Sequence, residues 1–197
     1  MSVEATHAAV PGRRHDPMPA SLLGVILFVA SECVFFAALF GAYFTVRAAA
    51  PVWPPEGIEP LEPLPLAGTA TVLLILSSFT MQFAIWAIRR GDRVTMLRFL
   101  KMTLVLGAIF LGMQAYDYST LPFTIHDTVF GTTFYTMTGF HGAHVAGGLV
   151  FIYLMLARGW SGQLTREDHY ALDGAAIYWH FVDIVWIGLF ATLYLLK

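Results

Sequence analysis

A histidine and an aspartate, His180 and Asp183, are the only imidazole and carboxyl groups in the strongly apolar stretch 174–196. At 1.5 Å per residue, a helix of this length crosses a bilayer core of about 30 Å. The i, i+3 spacing puts both side chains on one helix face. Because each group is costly in hydrocarbon unless it is neutral or paired, this face must look into protein.

The same i, i+3 spacing occurs at His141 and His144, inside the apolar stretch 129–157. Three imidazoles and a carboxylate could ligate a metal ion. However, the chain has no second histidine-rich motif of the kind that membrane di-iron enzymes need, and it has no haem-attachment motif. We therefore favour a polar network between helices that binds no metal, made of His141, His144, His180 and Asp183.

One carboxyl, Glu32, lies near the middle of the first apolar stretch, 20–46. It could be a proton-relay or transport carboxyl, or a neutral acid that donates one hydrogen bond to a neighbouring helix, and the residues alone leave both open. Counted from the same membrane side, Glu32 lies about 18 Å deep, His144 about 20 Å and Asp183 about 14 Å. We therefore expect these three residues to share one buried layer, with a hydrogen bond between helices among them.

The composition requires these groups to sit in a membrane protein. The 197 residues are 57% hydrophobic and only 12% charged, whereas about a quarter of the residues in soluble domains are charged. The sequence predicts an all-α polytopic membrane protein, a bundle of five transmembrane helices over about 20–46, 66–88, 97–116, 129–157 and 174–196, after a cytoplasmic tail over 1–19. We expect no cleavable signal peptide, because the tail has no apolar core.

Small residues recur at every fourth position in two of these stretches. They are Cys33, Ala37 and Gly41 in the first, and Gly139, Ala143 and Gly147 in the fourth. Such stripes predict that another helix approaches closely along them. Cys33 is the only cysteine, so the chain forms no internal disulfide and no cysteine cluster for a metal.

The basic residues predict the orientation of the chain. Nine of the eleven fall on one side of the five predicted helices and two, Arg47 and Lys197, on the other. Since short cytoplasmic loops are enriched in Lys and Arg, the N-terminus is expected inside and the C-terminus outside. The nine residues are Arg13, Arg14, Arg89, Arg90, Arg93, Arg98, Lys101, Arg158 and Arg166.

The residues by themselves leave three classes of function open. The chain could be a non-catalytic subunit of a membrane complex, a metal-dependent membrane enzyme, or a proton-coupled transporter. The lack of internal repeats and of paired broken helices argues against the transporter. Basic patches with interleaved aromatic residues are absent, so no nucleic-acid partner is expected.

Five segments in series resemble subunit III of the haem–copper respiratory oxidases, most closely the cytochrome c oxidase branch. They are SECVFFAALFGAYF (31–44), WPPEGIEPLEP (53–63), GDRVTML (91–97), FTIHDTVFGTTFYTMTGFHGAHV (123–145) and AAIYWHFVDIVWI (175–187). The chain is similar to the five-span bacterial form, whereas larger members have seven spans. Some quinol oxidase members have Asp at the position of Glu32 and lack the WPP loop, so the resemblance favours a cytochrome c oxidase.

The resemblance implies a non-catalytic core subunit of an aa3/caa3-type cytochrome c oxidase in the bacterial cytoplasmic membrane. Such a subunit binds no haem, copper or quinone; haem and copper lie in partner subunits. It packs directly on subunit I, has subunit II and other respiratory complex subunits as further partners, supports proton uptake and turnover stability, and binds phospholipid. The complex reduces O2 to water and pumps protons. A quinol oxidase subunit III is the alternative, and a metal-dependent membrane enzyme is a more distant one.

Two residues take specific roles from the resemblance. Glu32 aligns with the carbodiimide-reactive intramembrane carboxyl of the family. Arg158 aligns with a basic residue that contacts lipid headgroups at the inner membrane surface. A guanidinium at that level is well suited to bind phosphate.

Overall fold

The computed structural model describes residues 19–55, 58 and 66–196, and within them the chain is helical with no strand. The five helices are α1 (Ala20–Ala49), α2 (Leu66–Arg89), α3 (Arg93–Thr120), α4 (Val129–Trp160) and α5 (Tyr170–Phe190), and α5 runs on into a π-helical turn, Ala191–Leu195. Each is long and apolar enough to cross a membrane. The predicted all-α class with five spanning helices is confirmed. The predicted tail lies, apart from Pro19, outside the described residues.

The turn between α2 and α3 is short because specific residues end one helix and start the next. Gly91 has φ +80°, a backbone conformation that is strained for residues with a Cβ. Asp92 then caps α3, because its carboxylate accepts a hydrogen bond from the Thr95 backbone N–H at 2.9 Å. Hydrogen bonds from Thr95 hold the pKa of the Asp92 carboxyl below its ordinary value.

Polar contacts join the helix ends on one side of the bundle. Arg89, at the end of α2, pairs with Asp173 in the first turn of α5, with 3.1 Å between Nη2 and Oδ1. Arg93, at the start of α3, donates to the Gly159 carbonyl near the end of α4 at 2.7 Å. These ends therefore lie at one level.

The opposite ends are joined in the same way. Arg47, near the end of α1, donates to the Leu196 carbonyl at 2.9 Å. Tyr43 of α1 donates its hydroxyl hydrogen to the Thr192 carbonyl in the π-helical turn at 3.3 Å. The two sets of contacts define two ends of the bundle, and the polar residues of the spans lie between them.

Helix α5 is the most enclosed of the five described helices, with 61% of its most apolar stretch buried, and it packs against α1, α2 and α4. Its Trp179 is fully buried, with the indole ring between Gly107 of α3 and Gly148 of α4. A Cβ added at Gly107 would lie 2.6 Å from this ring, and one added at Gly148 would lie 2.8 Å from it. The indole N–H donates to the Ser77 hydroxyl of α2 at 2.9 Å. One side chain thus joins four helices.

The predicted small-residue stripes do not mark these close approaches. A Cβ added at Gly41 would meet nothing within 4 Å, and one at Gly139 would have its nearest neighbour at 3.9 Å. No helix of this chain approaches Gly41 closely, because the α1 stripe, with Gly41 exposed, faces outward from the bundle. The tight positions on α4 include Gly142 and Gly148, where added Cβ atoms would lie 2.9 Å from Gln114 and 2.8 Å from Trp179.

Two glycines of α3 allow a matched test of this packing. We expect Gly107→Ala to destabilise the bundle, because overpacking against a fixed ring costs about 1–3 kcal/mol. Gly112→Ala is the control, since a Cβ there meets nothing within 4 Å and gains up to about 1 kcal/mol of helix propensity. The measurement is the thermal unfolding midpoint in detergent. Equal midpoints for the two variants would contradict the packing described.

Candidate functional site

Glu32 of α1 and His144 of α4 meet inside the membrane-spanning part of the bundle. Their Oε2 and Nε2 atoms are 3.0 Å apart, and the two side chains are 20% and 16% exposed. Phe35 and Phe36 flank the imidazole, with ring centroids 6.2 Å and 5.0 Å away. The structure therefore brings together two of the three residues expected in one layer, through a hydrogen bond between helices.

The other imidazole nitrogen determines how protons are arranged in this pair. His144 Nδ1 lies 2.7 Å from the Phe140 carbonyl oxygen, which can only accept, so Nδ1 carries a hydrogen. Nε2 then either accepts from a protonated Glu32 carboxyl or, in the imidazolium, donates to a carboxylate. In both arrangements one proton lies between the two groups and the pair carries no net charge. This neutrality suits a membrane interior, where an unpaired charge is costly.

His180 lies in a different cluster, at the contact between α5 and α2. Its Nδ1 is 2.8 Å from the Ser78 hydroxyl. Asp183 lies one turn further along α5 and is 4% exposed. Neither of its carboxyl oxygens has a hydrogen-bond partner among the described residues. The carboxyl lines a groove against α2 and makes no hydrogen bond to Glu32 or His144.

His141 is fully buried and faces the centre of the bundle. Its ring packs 5.8 Å from the Phe110 ring and 5.0 Å from the Trp186 ring, measured between centroids. Neither ring nitrogen has a hydrogen-bond partner within the part of the chain that the structure describes. His141 and His144 thus point to different neighbours, although their spacing puts them on adjacent parts of one helix face.

The hydroxyl partners of these groups are not evident from the histidine and carboxyl spacing. Ser77 and Ser78, adjacent in α2, bond to Trp179 and His180, adjacent in α5. Tyr178 also donates its hydroxyl hydrogen to the His144 backbone carbonyl at 3.0 Å. A pair of neighbouring serines in an otherwise apolar span is a signal that could have identified the first two contacts, because serine in a membrane helix needs a partner.

Arg158 lies half-buried near the end of α4 that carries Gly159, on the side of the bundle where Arg89 pairs with Asp173. Its guanidinium makes no hydrogen bond or ion pair to the other residues that the structure describes. This position, at a helix end and away from the buried pair, leaves the side chain able to reach the membrane surface.

The comparisons with known proteins assign the chain to a family. The family model for cytochrome c oxidase subunit III matches residues 6–197. The chain belongs to the cytochrome c oxidase subunit III family. Membership makes it one subunit of a membrane oxidase complex, with haem and copper assigned to other subunits.

Similar proteins of this name occur in very different organisms. The chain is 39% identical over its whole length to a cytochrome c oxidase subunit 3 of Synechocystis, covering 85% of that protein. It is 42% identical over 87% of its length to a protein of the same name from Lumbricus terrestris, of which it covers 68%. A Scyliorhinus canicula relative is 40% identical over 93% of this chain and is covered to 72%.

In a subunit III, we interpret these histidines and carboxyls as residues that hold the helices together. Among the described residues no three of His, Cys, Asp and Glu come together as a metal would require. Glu32 with His144, and His180 with Ser78, instead bond one helix to another. That these residues bind no metal remains our prediction.

Replacing the Glu32 carboxyl tests whether the pair joins α1 to α4. We expect Glu32→Gln to keep the contact, because an amide N–H can donate to His144 Nε2 as a protonated acid does. Glu32→Ala removes it and should lower stability by about 0.6 kcal/mol, the mean value for a hydrogen bond between membrane helices. Thermal unfolding of both variants in detergent is the measurement. A Glu32→Gln variant as unstable as Glu32→Ala would contradict the hydrogen-bond arrangement.

Proposed function

We propose that the chain is the non-catalytic core subunit III of an aa3/caa3-type cytochrome c oxidase. The observation that carries this proposal is the match of residues 6–197 to the subunit III family. The relatives named above are all called cytochrome c oxidase subunit 3, which favours cytochrome c over quinol as the electron donor. The complex would reduce O2 to water and pump protons, with all redox chemistry in its partner subunits.

Within the complex, the chain would cover one flank of subunit I and hold phospholipid there. It would also support proton uptake, because basic residues at one end of the bundle can retain anionic lipid and nearby carboxylates that collect protons. Arg158 would contact a lipid headgroup at this end. Its half-buried position near the end of α4 supports this role.

Glu32 would be the membrane-accessible, carbodiimide-reactive carboxyl. Its side chain is 20% exposed, so a reagent dissolved in the bilayer can reach it. The pairing with His144 supplies a neutral state in which the carboxyl is protonated. Asp183 contrasts with it, since both of its carboxyl oxygens are enclosed. Of these two carboxyls, we therefore expect carbodiimide to react with Glu32 and not with Asp183.

We further propose a bacterial cytoplasmic membrane location with the N-terminus inside and the C-terminus outside. The sequence predicts that most basic residues face the inner side. Those that the structure describes lie near the end of α2, the start of α3 and the end of α4, and in the loop before α5. Arg89 and Arg93 make their contacts at that one end of the bundle. Arg47 makes its contact with Leu196 at the other end.

Cysteine labelling tests this orientation. In a Cys33→Ser background, Arg90→Cys should react with a membrane-impermeant thiol reagent only from the cytoplasmic side, because Arg90 is exposed in the α2–α3 turn. His126→Cys, exposed in the α3–α4 loop, is the matched control and should react only from outside. Reversed labelling of the two variants would overturn the orientation.

Oxygen consumption by the oxidase with and without this chain tests the function. A stripped enzyme should keep its haems and begin turnover at an appreciable rate, since the chain supplies no redox ligand. Proton uptake should then become limiting as pH rises, and activity should decay irreversibly during turnover but not on standing. The measurement is oxygen uptake against time and pH.

The absorption spectrum of the complex purified with this chain is the control. Haem a bands are expected. Loss of the haem spectrum on removal of the chain would contradict the proposed function, and so would identical inactivation kinetics with and without it.

A further inference from the structure

A groove of about 420 Å³ runs between α2 and α5 on the outside of the bundle. Apolar side chains form its edges, and polar side chains line part of it. Phe79 and Ile184 at the edges are 57% and 68% exposed. The polar lining residues are Ser78, Gln82, His180 and Asp183.

The polar part of this groove lies at hydrocarbon depth. Gln82 is seven residues from Arg89, where α2 ends, which places it about 10 Å along the helix axis from that end. Ser78 is one turn deeper and holds His180 beside it. With an apolar core of about 30 Å, these groups are well below the membrane surface.

These groups have unused hydrogen-bonding capacity. The Gln82 amide makes no hydrogen bond to the other described residues, although it offers two N–H donors and a carbonyl. His180 uses Nδ1 for Ser78, which leaves Nε2 open toward the groove. Polar groups left unpaired in hydrocarbon cost free energy, so a partner is expected to supply the missing bonds.

The chemistry of the groove distinguishes between possible occupants. A lipid acyl chain packs against Phe79 and Ile184 but offers nothing to an amide or an imidazole. A transmembrane helix can do both, because it hydrogen-bonds its own backbone and presents single polar side chains at a fixed depth.

We propose that the groove seats a transmembrane helix of another subunit of the oxidase. This helix carries a hydrogen-bonding side chain at the depth of Gln82 and His180 and packs apolar residues on Phe79 and Ile184. The proposal rests on the proposed function, because it takes the partner from the same complex. The α2–α5 groove is then the face that contacts this partner, and its amide, imidazole and apolar side chains recognise the partner helix.

Crosslinking in the assembled oxidase tests the contact directly. A photoreactive phenylalanine analogue placed at Ile184 should form an adduct with another subunit of the haem-bearing complex, identified by mass spectrometry. The same analogue at Val105, which is 56% exposed on α3, is the control and should give no such adduct. Adducts at Ile184 with lipid only or with a second copy of this chain would overturn the proposal, as would equal subunit adducts from both positions.

A conservative variant tests the hydrogen bonds. Gln82→Leu keeps the size of the side chain and removes the amide. The chain retained per haem at increasing detergent concentration should then indicate a dissociation constant about threefold higher, the factor for one hydrogen bond between membrane helices. Phe83→Leu, at the next position of α2, where the side chain is 39% exposed, should leave retention unchanged. Retention of Gln82→Leu equal to that of Phe83→Leu would overturn the role of the amide.

The two proposals fail in different ways. If the unaltered chain purifies without haem-bearing partners, the proposed function fails and the groove proposal fails with it. If the chain purifies with haem but Ile184 gives no adduct with an oxidase subunit, only the groove proposal fails. The amount of each variant inserted in the membrane, measured beside the retention, separates loss of docking from loss of folding.

Discussion

A polar side chain in hydrocarbon costs free energy unless protein supplies a hydrogen-bond partner, and the contacts between several helices of this bundle depend on that constraint. Water is absent from the bilayer core, and lipid tails neither donate nor accept hydrogen bonds. The chain meets the constraint at Glu32 by pairing it with His144, and at His180 by bonding it to Ser78. Each bond joins two helices that are distant in sequence, so the same contacts that neutralise polar groups also fix which helices are neighbours.

The centre of the bundle meets the same constraint with larger side chains. Trp179 and Trp186 of α5 donate to Ser77 and Thr71 of α2 at 2.9 Å each. Their rings fill the interior while their N–H groups are paired. Burial of an indole without such a partner would leave a donor unsatisfied, which is why tryptophan and a hydroxyl residue occur together across this helix contact.

Much of the fold could be predicted from the sequence, because apolar stretches of membrane length are a strong signal. The five helices follow from them, and depth counting brought Glu32 and His144 to one level. The side chain that each polar group meets could not be predicted, since helical spacing fixes a face but not the neighbour on it. His141 and His144 share a spacing yet contact different helices, and Asp183 faces α2 instead of the Glu32 pair. The small-residue stripes also did not identify the tight helix contacts within the chain. Gly41 and Gly139 lie away from those contacts, whereas Gly107 and Gly148 lie against the indole ring of Trp179.

The position of Trp179 between two glycines has a consequence for motion. Added Cβ atoms at Gly107 and Gly148 lie under 3 Å from the ring, so α3 or α4 cannot slide to bring a larger residue against the ring without a clash. Small sliding of packed helices is one of the usual ways in which proteins change conformation. The indole, held between these two glycines, therefore opposes sliding of α3 and α4 past α5. The least enclosed helix is α1, of whose most apolar stretch only 6% is buried.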